Sequence, residues 1–196
     1  MSRNAAIGII VLAVIVLAGA GGYFFGTKSI TQGLPSVYNN DERGAANTVS
    51  QPINHSSLVA DLEARLKDNP KDMDVMLTLG DTYFDLKRFD LAVKYYKMAS
   101  DVEPENVKVY NDIGLSLHYM GNSPEGLKYI DEGIKKNPYN QRIWLTKGFV
   151  LAYGLGDLNA AGEAWEKARA IDPESSIGKA ASDYLVQIAQ ARKGGK

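Results

Sequence analysis

Four prolines, Pro70, Pro104, Pro138 and Pro173, recur at spacings of 34, 34 and 35 residues, and Gly80, Gly114 and Gly148 recur at 34 and 34. A fixed period of this length is the mark of a chain built from stacked supersecondary units, each too small to bury its own apolar face alone. The small positions keep step, as Ala92, Gly126, Ala161 and again as Ala99, Gly133, Ala168, with Tyr96, Ile130 and Trp165 at the large one. The one-residue excess in the last period falls between Gly148 and Ala161, most simply in the turn Gly154-Leu155-Gly156-Asp157.

Within each period the apolar spacing is that of two helices. Val75, Met76, Leu79 and Tyr83 make one stripe, Lys87-Arg88 interrupts it, and Leu91, Ala92, Tyr95, Tyr96 and Ala99 make a second. The glycine and alanine positions let the paired backbones approach, and the proline stops the second helix because it lacks an N–H and clashes with the preceding turn. Ser123-Pro124-Glu125 is a helix start, a capping side chain followed by proline at the first helical position.

Upstream stands a segment of different character. Residues 5–25 run for 21 positions without a charge, and as a helix at about 1.5 Å per residue would reach roughly 31 Å, enough to cross a hydrocarbon core. Tyr23, Phe24 and Phe25 close the run where an interfacial aromatic belt belongs. A cleavable signal peptide is the competing reading, because Arg3 gives a short positive start and Ala18-Gly19-Ala20 resembles a cleavage site; the product would then be soluble and periplasmic. Arg3 on one side and Lys28 and Arg43 on the other nearly tie the charge rule, and the four-residue head favours export of the rest. The expectation is a single-pass inner-membrane anchor over residues 1–26 with the folded part in the periplasm. Ala18, Gly22 and Gly26 form a small-residue stripe along which two anchors could pair as a homodimer. Residues 27–55, rich in Ser, Thr, Asn, Gln, Gly and Pro, read as a polar tether.

Several function classes drop out. Twenty-two basic against 23 acidic residues leave no field to attract nucleic acid, and the absence of cysteine removes thiolate metal sites, disulfides and cysteine nucleophiles. His55 and His118 are too far apart in the pattern to make a metal or acid–base pair, and Asp81 and Asp85, one turn apart, read as a solvated face rather than a proton-sharing dyad. No phosphate loop, nucleophile elbow or zinc-protease motif occurs, so neither enzyme activity nor a cofactor is expected.

The repeat resembles the tetratricopeptide repeat (TPR), whose W-x2-L-G-x2-Y, A-x3-F-x2-A, P pattern is matched by Met76-x2-Leu79-Gly80-x2-Tyr83, Ala92-x3-Tyr96-x2-Ala99 and Pro104. Tyr110-x2-Ile113-Gly114-x2-Leu117 with Gly126, Ile130, Gly133 and Pro138 is looser. Trp144-x2-Lys147-Gly148-x2-Leu151 with Ala161, Trp165, Ala168 and Pro173 is close apart from Lys147. The implied fold is an all-α helical solenoid of three repeats (73–106, 107–140, 141–174), a half-repeat or cap helix over 56–72, and a capping helix with basic tail over 175–196.

The resemblance also says where a partner would sit, since in TPR folds the first helix of each pair lines a concave surface. Carried over residue by residue, that surface comprises Leu77, Asp81, Phe84 and Asp85; Asn111, Leu115, His118 and Tyr119; and Arg142, Leu145, Phe149 and Tyr153, and implies a protein or peptide partner. The Lys/Asn clamp by which some chaperone-type TPRs hold a carboxylate is not matched, because Leu77, Asp81 and Asp112 occupy its positions. Anchor, tether, the run Leu62-Glu63-Ala64-Arg65-Leu66-x3-Pro70 and TPRs together resemble the TPR subunits of bacterial cytochrome c maturation, which implies apocytochrome held for the haem lyase. A role in pilus, secretion or outer-membrane assembly is the alternative.

Overall fold

A computed structural model describes residues 55–194, with side chains through residue 191. The anchor expected over 5–25, the tether before His55, and the Ala18/Gly22/Gly26 stripe lie outside the described residues. Among the described residues no helix is long and apolar enough to cross a membrane.

Among the described residues eight α-helices follow one another: α1 (His55–Asp68), α2 (Met73–Asp85), α3 (Phe89–Val102), α4 (Val107–Tyr119), α5 (Ser123–Lys136), α6 (Gln141–Phe149), α7 (Leu158–Ile171) and α8 (Ser176–Gly194). Between α6 and α7 the chain winds as a π-helix over Val150–Leu155. Helix starts are capped where the sequence supplies a short acceptor: Asp72 takes the Val75 N–H, Asn140 the Ile143 N–H, and Asp157 the N–H groups of Asn159 and Ala160. Each pair turns at a left-handed residue, Lys87 (φ 58°), Gly121 (φ 82°) and Gly156 (φ 70°). Lysine thus occupies in the first repeat the conformation that glycine adopts freely in the other two.

The core is a column of interlocked positions. Gly80 lies under Tyr96, Gly114 under Ile130 and Gly148 under the Trp165 indole, so closely that a Cβ at any of the three would collide with that side chain. Tyr96, Ile130 and Trp165 are each at most 2% exposed. The period of the glycines is therefore the period at which a large side chain from the second helix crosses the first. Helix α1 is tied on by Glu63, whose carboxylate accepts from Tyr83 Oη at 3.1 Å and Tyr95 Oη at 2.8 Å while the two rings stack with centroids 5.5 Å apart. At the other end Tyr184 of α8 stacks on Trp165 at 4.5 Å.

The extra residue of the third repeat is wound into the first helix and not confined to the turn. In the first two repeats the turn closes with Arg88 N–H on Tyr83 O (2.8 Å) and Asn122 N–H on Leu117 O (2.8 Å); in the third, Asp157 N–H reaches one residue further back, to Leu151 O (3.0 Å). A π turn absorbs one residue without breaking the helix. It also brings Gly154 against Ser123 and His118, where any side chain would overlap them. Lys147, the departure from the TPR pattern, reaches the surface and pairs with Asp131 at 2.7 Å.

Candidate functional site

The first helices of the three pairs present aromatic rings at their C-terminal ends, and these meet. Phe84 of α2 packs edge-on against Tyr119 of α4 (centroids 5.7 Å apart), and His118 packs edge-on against Phe149 of α6 (5.3 Å). Tyr119 approaches Phe149 at 6.5 Å, and Phe149 approaches Tyr153 of the π winding at 4.9 Å. Phe89, from the start of α3, stacks on Tyr119 at 5.1 Å and closes against Phe84 at 5.2 Å. The result is an unbroken aromatic band across three repeats. Tyr119 (37% exposed) and Tyr153 (46%) stand out of it, with Leu86, Met120 and Leu155, also exposed, at or beside the adjoining turns. Singly exposed apolar residues are ordinary, but a contiguous row is a docking feature.

The residues expected on this face divide by depth. Phe84, His118 and Phe149 are half-buried beneath Tyr119 and Tyr153, Leu77 packs on the first core cluster, and Asp85 is exposed. Arg142 is half-buried. Asn111 (2% exposed), Leu115 (3%) and Leu145 (0%) lie inside the solenoid and not on its surface. The resemblance assigned them to the groove face, yet all three are buried in the packing between helices. Phe89 was not expected, because it belongs to a second helix. Its signal was its place five residues after Phe84 across the Lys87-Arg88 break, close enough for the sharp turn to bring the rings together.

Two polar features sit within the band. His118 Nδ1 and Ser123 Oγ share a 2.9 Å hydrogen bond, and burial holds the imidazole below its ordinary pKa. The folded state therefore binds fewer protons than the unfolded chain as the pH drops below the ordinary histidine value of about 6.5, so this contribution to stability is complete above that value and is lost on acidification through the folded pKa. Between pH 7.5 and 5 the melting temperature should fall further for the wild type than for His118→Gln; equal falls would remove His118 from the acid response.

Deeper along the same face, Lys108 Nζ lies 2.7 Å from Asp112 and 3.6 Å from Asp81. Tyr96 Oη donates to Asp81 at 2.7 Å, and burial together with the nearby carboxylates pushes that phenol well up, so it remains a donor. Burial also raises the Asp112 carboxyl against the opposing pull of Lys108. Among the described residues no three His, Asp or Glu side chains approach closely enough to hold a metal ion.

Comparison with known proteins locates this arrangement. Residues 74–106 match the sequence model of the tetratricopeptide repeat. Superkiller complex protein 3 of Homo sapiens is 30% identical over 82 residues, 42% of this chain and 5% of that protein. Hsp70-Hsp90 organizing protein of Triticum aestivum is 26% identical over 115 residues, 59% of this chain and 20% of that protein. The chain thus spans only a small part of the length of these relatives. The solved complex of the yeast Sti1 TPR2B domain with pHsp70 superposes with a TM-score of 0.56 at 21% identity, covering 61% of this chain and 97% of that one. A crystal structure of MamA superposes at 0.57 with 16% identity, covering 75% and 98%. At these identities the likeness is one of fold.

Proposed function

We propose that this chain, whose described part is a tetratricopeptide-repeat solenoid, is an interaction scaffold that holds a protein segment along the α2, α4 and α6 face, and that residues 5–25 fix it to a bacterial inner membrane with the solenoid on the periplasmic side. The observation that carries the binding reading is the aromatic band: rings from three successive repeats joined edge to face, with Tyr119 and Tyr153 exposed. Large, partly exposed aromatics on a rigid scaffold are the side chains that dominate protein–protein contacts. Solved relatives of the same fold are recorded with chaperone peptides, one of them the HSP90 peptide SRMEEVD. Here Leu77, Asp81 and Asp112 stand where a carboxylate clamp would need Lys and Asn, so an acidic C-terminus is not the expected ligand.

The test is capture of the tagged full-length protein from native membranes after gentle crosslinking, alongside a phosphatase fusion placed after Lys196. The reading expects an active fusion and recovery of a defined set of envelope proteins. A well-expressed but inactive fusion would overturn the periplasmic placement, and recovery of no partner above a mock capture would overturn the scaffold. Recovery of apocytochrome or haem-lyase components, with loss of haem-stained cytochrome c on deletion, would select the maturation role. Pilus, secretion or outer-membrane assembly subunits would select the other.

A further inference from the structure

A second concavity lies between α1 and α3, and none of its lining residues belongs to the aromatic band. It is a mostly apolar cleft of about 510 Å³, lined by Leu66, Pro70, Tyr95 and Met98, and its volume falls within the roughly 300–1,000 Å³ of ligand sites. Lys67 of α1 and Lys94 of α3, both exposed, also line it. Lys94 Nζ rests 4.9 Å from the centroid of the Tyr95 ring. Among the described residues neither lysine has a carboxylate within ion-pair distance. The acid in the lining, Glu63, accepts from Tyr83 and Tyr95 through Oε1, which leaves Oε2 of this exposed side chain to accept another donor. The same interval one repeat later is built differently. Thirty-four residues on, Asp101 takes the place of Lys67 and Glu132 that of Met98, and Lys128, the counterpart of Lys94, already pairs with Glu125 at 3.1 Å. Repeat packing alone therefore does not require two lysines beside an apolar lining.

We propose that the α1/α3 cleft is a second docking site, for a protein segment in which an aspartate or glutamate adjoins a bulky apolar residue. The apolar side chain rests on Leu66, Tyr95 and Met98, and the carboxylate takes charge-assisted hydrogen bonds from the Lys67 and Lys94 ammonium groups. Two cations against one carboxylate leave the cleft positive, so the sign of its charge selects the ligand. A bare fatty acid supplies an anion and an apolar chain but no N–H, whereas a peptide backbone also supplies the donor that Glu63 Oε2 can take. The lysines are exposed, so their pairing is screened by salt and the apolar contact carries much of the affinity. The site is separate from the α2, α4 and α6 face and does not depend on how that face is read.

The experiment is selection of a random-peptide phage library on the detergent-solubilised full-length protein, with the winners synthesised and their affinities measured against two double variants. Winners weakened by Tyr119→Ala combined with Tyr153→Ala belong to the α2, α4 and α6 groove. Winners indifferent to that pair but weakened by Lys67→Gln combined with Lys94→Gln belong to the cleft. The expected result is a class of the second kind, enriched in Asp or Glu beside an aromatic or branched aliphatic residue. The lysine pair should weaken it roughly five- to tenfold, the scale of two exposed charge pairs. Replacing the acid of such a peptide by its amide should cost the same factor on the wild type and nothing on the lysine variant. Lys67→Asp, which installs the residue that the next repeat carries in register, should weaken binding more than Lys67→Gln. Both lysines are exposed, so these variants should melt with the wild type. No winner of the second kind, or amide peptides that bind as tightly as their acidic parents, overturns the cleft as a site for acidic segments and leaves the aromatic groove standing.

Discussion

Trp165→Ala is expected to lower the free energy of unfolding by about 3–5 kcal/mol, the range for removing a buried aromatic side chain. Trp165 is 2% exposed, donates Nε1–H to Leu145 O at 3.1 Å, stacks on Tyr184 and covers Gly148. It therefore joins α6, α7 and α8 at once. Because each solenoid unit leans only on its neighbours, the loss should fall on the last repeat, with α7 and α8 exchanging amide hydrogens first and α2 and α3 little affected. Trp165→Phe, which keeps most of the packing and drops the hydrogen bond, should lose less than half as much. Denaturant titration with hydrogen exchange checks both, and an alanine variant within about 1 kcal/mol of wild type would show that Trp165 does not join the helices in this way.

Tyr119→Ala combined with Tyr153→Ala should raise the Kd for the captured partner segment by about thirtyfold or more, corresponding to roughly 2 kcal/mol and above for interface aromatics. These two are the better probes of binding because they are the exposed members of the band. Phe84 and Phe149 are half-buried and each packs against a cluster of buried apolar residues, so their truncation would mix binding with stability. Melting of the tyrosine double variant should stay near that of the wild type. A segment that binds both proteins equally would place the interface elsewhere on the solenoid.

The solenoid was legible because its punctuation and its packing are the same thing. Gly80, Gly114 and Gly148 recur where Tyr96, Ile130 and Trp165 cross them, and a spacing imposed by contact in space is visible as a spacing in sequence. The extra residue was countable but not locatable. A π winding and a longer turn have the same length, and only the packing of Gly154 against Ser123 and His118 distinguishes them. Phe84, Tyr119, Phe149 and Tyr153 were named by carrying over the concave face of the resembled repeat, and the structure brings their rings into one band. Leu115, Leu145 and Asn111 came from the same carry-over and are buried, and burial depends on packing between helices that a pattern read along one helix does not contain. Phe89 joined the band through a turn whose left-handed residue is Lys87, a conformation that glycine would have signalled and lysine does not. The unsatisfied Asn111 Oδ1 has no sequence signature at all.

The central claim, that the aromatic face is where a partner lies, is tested most directly by placing a photo-crosslinking phenylalanine analogue at single positions of the full-length protein in its native membrane. Position 119 lies in the band. Positions 97 and 186 are exposed on α3 and α8 and do not belong to it. Adducts of one mass at 119, absent at 97 and 186, and competed by a selected groove peptide, are the predicted result. Adducts confined to 97 or 186 would contradict it.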